Sequence, residues 1–96
     1  MRTLQEIKST LNSHKQQLFA KYPIKSIAIF GSYARNEQTD KSDIDIMVEF
    51  KAKIGIQFID LAEEIELLVG FKVDLVSKNG IKEKYFKAIK ADLVYV

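Results

Sequence analysis

From Asp43 to Phe50 the chain alternates without a break. Ile44, Ile46, Val48 and Phe50 fall on one side, and Asp43, Asp45, Met47 and Glu49 on the other. Successive side chains of a strand point to opposite faces. The segment therefore predicts a half-buried strand with an apolar face on the core and a largely acidic face turned away from it. Any fold that carries it needs a sheet with a packed layer on its apolar side.

The flanking segments supply that layer. Thr3-Leu4-Gln5-Glu6 fits a capping box, which starts a helix at Leu4. Leu4, Ile7, Leu11 and Leu18 share one face of that helix, which is expected to run to about Lys21 before Pro23 stops it. Ile24 to Phe30 is rich in β-branched and aromatic residues and reads as a strand, ended by Gly31-Ser32. Tyr33-Ala34-Arg35 reads as a short helical turn, and Asn36 to Ser42 as a polar loop. A helix is expected over about 56 to 69, with Ile59, Ala62 and Ile65 toward the core and Gly70 as its C-cap. Lys72 to Ser77 is a third strand and Asn79-Gly80 a turn. A last helix runs from Ile81 to about Lys90 with Ile81, Tyr85 and Ile89 on one face, and the apolar tail 93–96 packs down or pairs. The expected fold class is α+β, a small mixed sheet with helices on one face, in a single domain over 1–96.

Three carboxylates concentrate on the open side of this sheet. Asp43 and Asp45 are two apart on one strand and share a face. Asp74 sits mid-strand between Val73 and Leu75, which point the other way. If the two strands pair, all three acids meet. Asp is disfavoured inside strands, and like charges at short range need a cation. Oxygen ligands in a chain with no Cys and one His point to Mg²⁺ or Mn²⁺ rather than zinc. The absence of Cys also excludes disulfides and thiolate chemistry. Gly31-Ser32 follows directly on an apolar strand. Gly allows close approach of backbone to a ligand, Ser32 offers a hydroxyl and an N–H, and Arg35 one turn on suits a phosphate oxygen. Taken alone, this reads first as a plain strand-to-helix turn with a Ser N-cap and a surface Arg.

Taken in order, the run Gly31-Ser32-Tyr33-Ala34-Arg35, then Ser42-Asp43-Ile44-Asp45, then Val73-Asp74-Leu75 resembles the signature of the polymerase-beta-like nucleotidyltransferase superfamily. It is most similar to the minimal nucleotidyltransferases, antitoxin partners of HEPN-domain toxins. The resemblance implies that Gly31 and Ser32, with Arg35, hold the triphosphate of ATP. It implies that Asp43 and Asp45 bind two Mg²⁺ ions (Mn²⁺ as the alternative), and that Asp74 completes the metal site beside the attacking hydroxyl. It further implies transfer of AMP from ATP to a Tyr hydroxyl of a cognate HEPN toxin, in a hetero-oligomer with it. Asn36 departs from the family pattern, which often has Gly after the Arg. Two other functions share these motifs: an antitoxin acting by contact alone, and a transferase acting on a small molecule. The second usually carries a further acceptor domain, for which 96 residues leave no room.

Other residues carry weaker signals. His14 shares a face with Leu11 and Leu18 and reads as structural. Tyr33 reads as a core or surface aromatic before a base-stacking one, and Glu49 as a solvated edge. Lys82, Glu83, Lys84, Lys87 and Lys90 read as a solvated helix face. Leu61, Leu67, Leu68 and Phe86 fall off the strongest core stripes and either form a partner patch or widen the buried stripe. A net charge of +2 makes no case for nucleic acid. The N-terminus has no apolar run behind it, and no stretch approaches the roughly 20 apolar residues of a membrane span, so a cytoplasmic protein is expected.

Overall fold

The structure is a computed structural model that describes residues 2–96. Helices α1 (Leu4–Ser13) and α2 (Lys15–Lys21) lead into strand β1 (Ile24–Phe30) and a single helical turn, α3 (Gly31–Ala34). Strand β2 (Ile44–Phe50), helix α4 (Gln57–Val69) and strand β3 (Val73–Ser77) follow. Helix α5 (Glu83–Ile89), a 3₁₀ turn (Lys90–Asp92) and a short strand β4 (Val94–Tyr95) complete the chain. The sheet has the order β3-β2-β1-β4. β1 pairs antiparallel with β2 and with β4, whereas β2 and β3 run parallel, α4 forming the crossover that parallel strands need.

The alternation of β2 sets the layers. Ile44, Ile46, Val48 and Phe50 are buried with Ile27 and Ile29 of β1 and Val73 of β3. They pack on Ile7 and Leu11 of α1, Leu18 of α2, and Leu61, Ile65 and Val69 of α4. The expected mixed sheet with a helical layer on its apolar face is this arrangement. One helix departs from it. The ring of Tyr85 on α5 packs at right angles to that of Phe30, whose side chain lies on the acidic side of the sheet (ring centroids 6.4 Å apart). So α5 sits over part of the second face, where Ala28, Phe30 and Met47 are buried although alternation turns them away from the main core.

Three further expectations need correction. The N-terminal helix is two helices. In an unbroken helix the Thr10 carbonyl would accept from the His14 N–H. Here it lies 3.0 Å from His14 Nδ1, while the His14 N–H goes to Leu11 O. Thr10 and Ser13 hydroxyls also donate to carbonyls four residues back, a pattern that bends helices. The helix start is as expected: the Glu6 N–H donates to Thr3 Oγ1 at 3.2 Å. On α4 the buried stripe is Leu61, Ile65 and Val69, not Ile59, Ala62 and Ile65; Ile59 is 56% exposed and Leu61 fully buried. The helix is apolar at so many positions that two stripes fit its sequence, and docking on the sheet selects one. Leu61→Ala should therefore cost about 2–5 kcal/mol, and Ile59→Ala no more than about 0.5 kcal/mol. Urea titration of both variants checks the assignment, and a larger loss at Ile59 would contradict it. Lastly, α5 starts at Glu83 and buries no residue completely; Phe86 is the more covered aromatic, with Tyr85 44% exposed. The apolar tail pairs, as one of its two expected fates, through Val94 and Tyr95 against β1.

A polar cluster ties α2 to α4. Glu64 accepts from Tyr22 Oη at 2.8 Å and from Lys21 Nζ at 3.0 Å. Lys21, then Tyr22, holds the Glu64 carboxyl below its ordinary range, while burial and the bond to Glu64 push the Tyr22 hydroxyl up to about 12.

Candidate active site

The sheet register brings the acidic residues together. Asp45 of β2 stands directly opposite Asp74 of β3 in the parallel pairing, so both side chains leave the same face. Asp43 lies just before β2, two residues from Asp45. On its other side Asp45 is the register partner of Phe30, the last residue of β1. The next residue, Gly31, has φ +76°, in the left-handed region. A Cβ at Gly31 would overlap Asp45 Oδ2. The turn that ends β1 is thus pressed against the Asp45 carboxylate, and only Gly permits both the backbone conformation and the contact.

Electrostatics follow from this crowding. The Asp45 carboxyl titrates above its ordinary value, first because it is partly desolvated and then because Asp74 and Asp43 repel its charge; Arg35 opposes the shift. Lys72 Nζ, 4.0 Å from Asp43 Oδ2, is the cation nearest that side. The donor set is hard oxygen throughout and carries excess negative charge, which fits a divalent cation such as Mg²⁺. Among the described residues, however, no three acidic, His or Cys side chains are drawn into a ready-made cage. The three aspartates share one face and one field without closing on a point.

The remaining predicted residues are placed as follows. Ser32 is the second residue of α3, half-buried, beside Asp45's neighbour Gly31. With four residues α3 has little dipole, and what it offers an anion is the free N–H groups of its first turn. Arg35 is already engaged: its Nε meets Glu37 and its Nη1 meets Asp92, both at 2.8 Å. These two bonds, Glu37 first, raise its already high pKa. Asp92 lies 57 residues away in sequence, and nothing local marked it as the partner. Asn36 adopts φ 61°. Asn is the residue besides Gly that tolerates this conformation best, which suits it to this position. Tyr33 is buried in the main core and unavailable to a base. Glu49 is neutralised by Lys25 and Lys78 at 3.8 and 3.7 Å and accepts from Ser26, apart from the aspartates. Two clefts of about 510 and 620 Å³ are lined by none of the aspartates, one at Phe50–Ile54, Ser77, Asn79 and Gly80, the other at Glu63, Glu66, Leu67, Phe71 and Lys72. Among the described residues no helix is long and apolar enough to cross a membrane.

Fold and acidic face together define a nucleotide-transferring domain, and comparison with known proteins gives the same class. Residues 11–95 match the family model for the nucleotidyltransferase domain, and the chain belongs to that family. It is 55% identical, over the whole of both chains, to a "putative protein adenylyltransferase" of Methanocaldococcus jannaschii. It is 41% identical to the protein adenylyltransferase MntA of Thermococcus cleftensis, covering 100% of this chain and 98% of that one. Among solved structures, it superposes with a TM-score of 0.70 on a chain from the complex of a tri-AMPylated Shewanella oneidensis HEPN toxin with its MNT antitoxin. That match has 22% identity and covers 93% of this chain and 70% of the other; at that identity it speaks for the fold.

Proposed function

We propose that the chain, acting as a single domain over 1–96 in the cytoplasm, transfers AMP from ATP to a Tyr hydroxyl of a cognate HEPN toxin and so neutralises it. The observation that carries this reading is Asp45 standing opposite Asp74 and against the Gly31 turn, with Asp43 two residues along, in a chain 55% identical to a relative named a putative protein adenylyltransferase. Asp43 and Asp45 hold Mg²⁺, with Mn²⁺ able to replace it, and Asp74 completes the site on the acceptor side. When bound, two such ions activate the acceptor oxygen and stabilise the leaving pyrophosphate. Gly31 and Ser32 receive the triphosphate on the N–H groups of α3. Arg35 reaches a phosphate oxygen by exchanging its bond to the exposed Glu37, a surface pair of small net worth, while keeping Asp92. Asp74, the most exposed of the three, takes the acceptor's proton in this reading. The toxin supplies the acceptor pocket that a domain of this size lacks, in a hetero-oligomer; neither a membrane nor nucleic acid takes part. Incubating toxin and this chain with labelled ATP and Mg²⁺ tests the reading: label is expected on a toxin Tyr at substoichiometric dose.

Ser32 can be tested separately. In this reading its hydroxyl donates to the triphosphate, and one hydrogen bond to a charged group is worth roughly 1.5–3 kcal/mol. Ser32→Ala should weaken Mg·ATP binding by about that amount, with the fold intact. Calorimetry on both proteins measures it, and equal affinities would remove Ser32 from the site.

A further inference from the structure

A tyrosine of the chain itself stands beside the aspartates. Tyr85 is 44% exposed and its ring packs at right angles to that of Phe30, the residue that faces Asp45 across the β1–β2 pair. Asp45 in turn faces Asp74. The position is held from several sides. The Arg35–Asp92 pair ties the 3₁₀ turn after α5 to α3, and Lys78 stacks over the Phe86 ring, 5.0 Å from its centroid. The β4–β1 pairing anchors the chain beyond. The Tyr85 hydroxyl also feels the charges of Asp45 and Asp74, after burial the causes that raise its pKa. Tyr95, the other exposed tyrosine, pairs with Ala28, two residues further from the Gly31 turn.

From this juxtaposition we infer that Tyr85 is a self-modification site, an internal acceptor to which the chain transfers AMP when no partner tyrosine is present. The inference rests on the nucleotidyl-transfer reading above. In the step, Tyr85 Oη forms a bond to the α-phosphorus of ATP and the bond between that phosphorus and the α–β bridging oxygen breaks. Pyrophosphate leaves with the electron pair, and the phenolic proton passes to the Asp74 carboxylate and on to water. A hydroxyl held at the site needs no binding step, and effective molarities of positioned groups are high, so the reaction is intramolecular. The product carries a nucleotide on the acidic face and can no longer accept a partner's tyrosine there.

The test incubates the full chain alone with ATP and Mg²⁺ and follows intact mass and the modified peptide. One AMP per chain on Tyr85 is expected, at a rate independent of protein concentration. Tyr85→Phe keeps the ring on Phe30 and should lose the modification while binding Mg·ATP with unchanged affinity and still labelling a toxin. Tyr95→Phe should modify itself as before. No self-label, a label on another residue, or a rate that rises with concentration overturns the inference, and labelling of the toxin in a parallel incubation leaves the transfer reading standing. If neither chain nor toxin is labelled, the transfer reading fails and takes the inference with it.

Discussion

Asp43→Asn combined with Asp45→Asn is expected to lower nucleotide transfer by several orders of magnitude without unfolding the chain. Asn keeps the shape of Asp but removes the charge and most of the affinity for a hard cation. With both changed, little is left on β2 to hold the ions on which the transfer depends. The sign of the stability effect follows from Asp45. Its carboxyl titrates above the ordinary value in the folded chain. A group raised in this way contributes stability below its unfolded pKa and loses it as pH rises through the folded value. At neutral pH without metal, the ionised Asp45 is therefore a burden, and the double variant should melt no lower than the parent. Label transfer and toxin inhibition, measured against dose, separate catalysis from contact. If the double variant still neutralises the toxin at stoichiometric dose, binding suffices and transfer is not the means of neutralisation.

Gly31→Ala should damage both fold and site. Left-handed backbone costs a residue with a Cβ about 1–2 kcal/mol, and here the added methyl also overlaps the Asp45 carboxylate. A stability loss of about 2–4 kcal/mol is expected, with Asp45 pushed off its position and Mg·ATP binding weakened. Gly70 provides the contrast. It has φ +71°, but a Cβ there would meet only the end of the Arg2 side chain, which can move. Gly70→Ala should cost about 1–2 kcal/mol from the backbone alone and leave binding and transfer unchanged. Urea denaturation and calorimetry on the two variants make the comparison. Equal effects on Mg·ATP binding would show that the contact between Gly31 and Asp45 has no part in the site.

The site was largely legible in the sequence because its pieces are local. A two-residue period puts Asp43 and Asp45 on one face whatever the rest of the chain does, and the neighbours of Asp74 turn it away from the core. The bounds of β1 could be read from its apolar run for the same reason. Long-range partners were not legible. Arg35 looked free for phosphate because Asp92, which binds it, is close only after α5 folds back. Tyr85 looked like a core residue on the strength of helical periodicity, yet α5 covers only the smaller apolar patch of the second face, and its tyrosine stays half exposed against Phe30, the register partner of Asp45.

What the sequence determined by itself was the three main strands, the acidic face of β2 and the Gly-Ser turn, because strand alternation and left-handed backbone are properties of a few neighbouring residues. Only the tertiary structure decided that Asp45 stands opposite Asp74, since strand register depends on how α4 docks. Docking also chose Leu61 over Ile59. In a helix apolar on two stripes, burial against the sheet stabilises whichever stripe fits, and local propensity is the same for both.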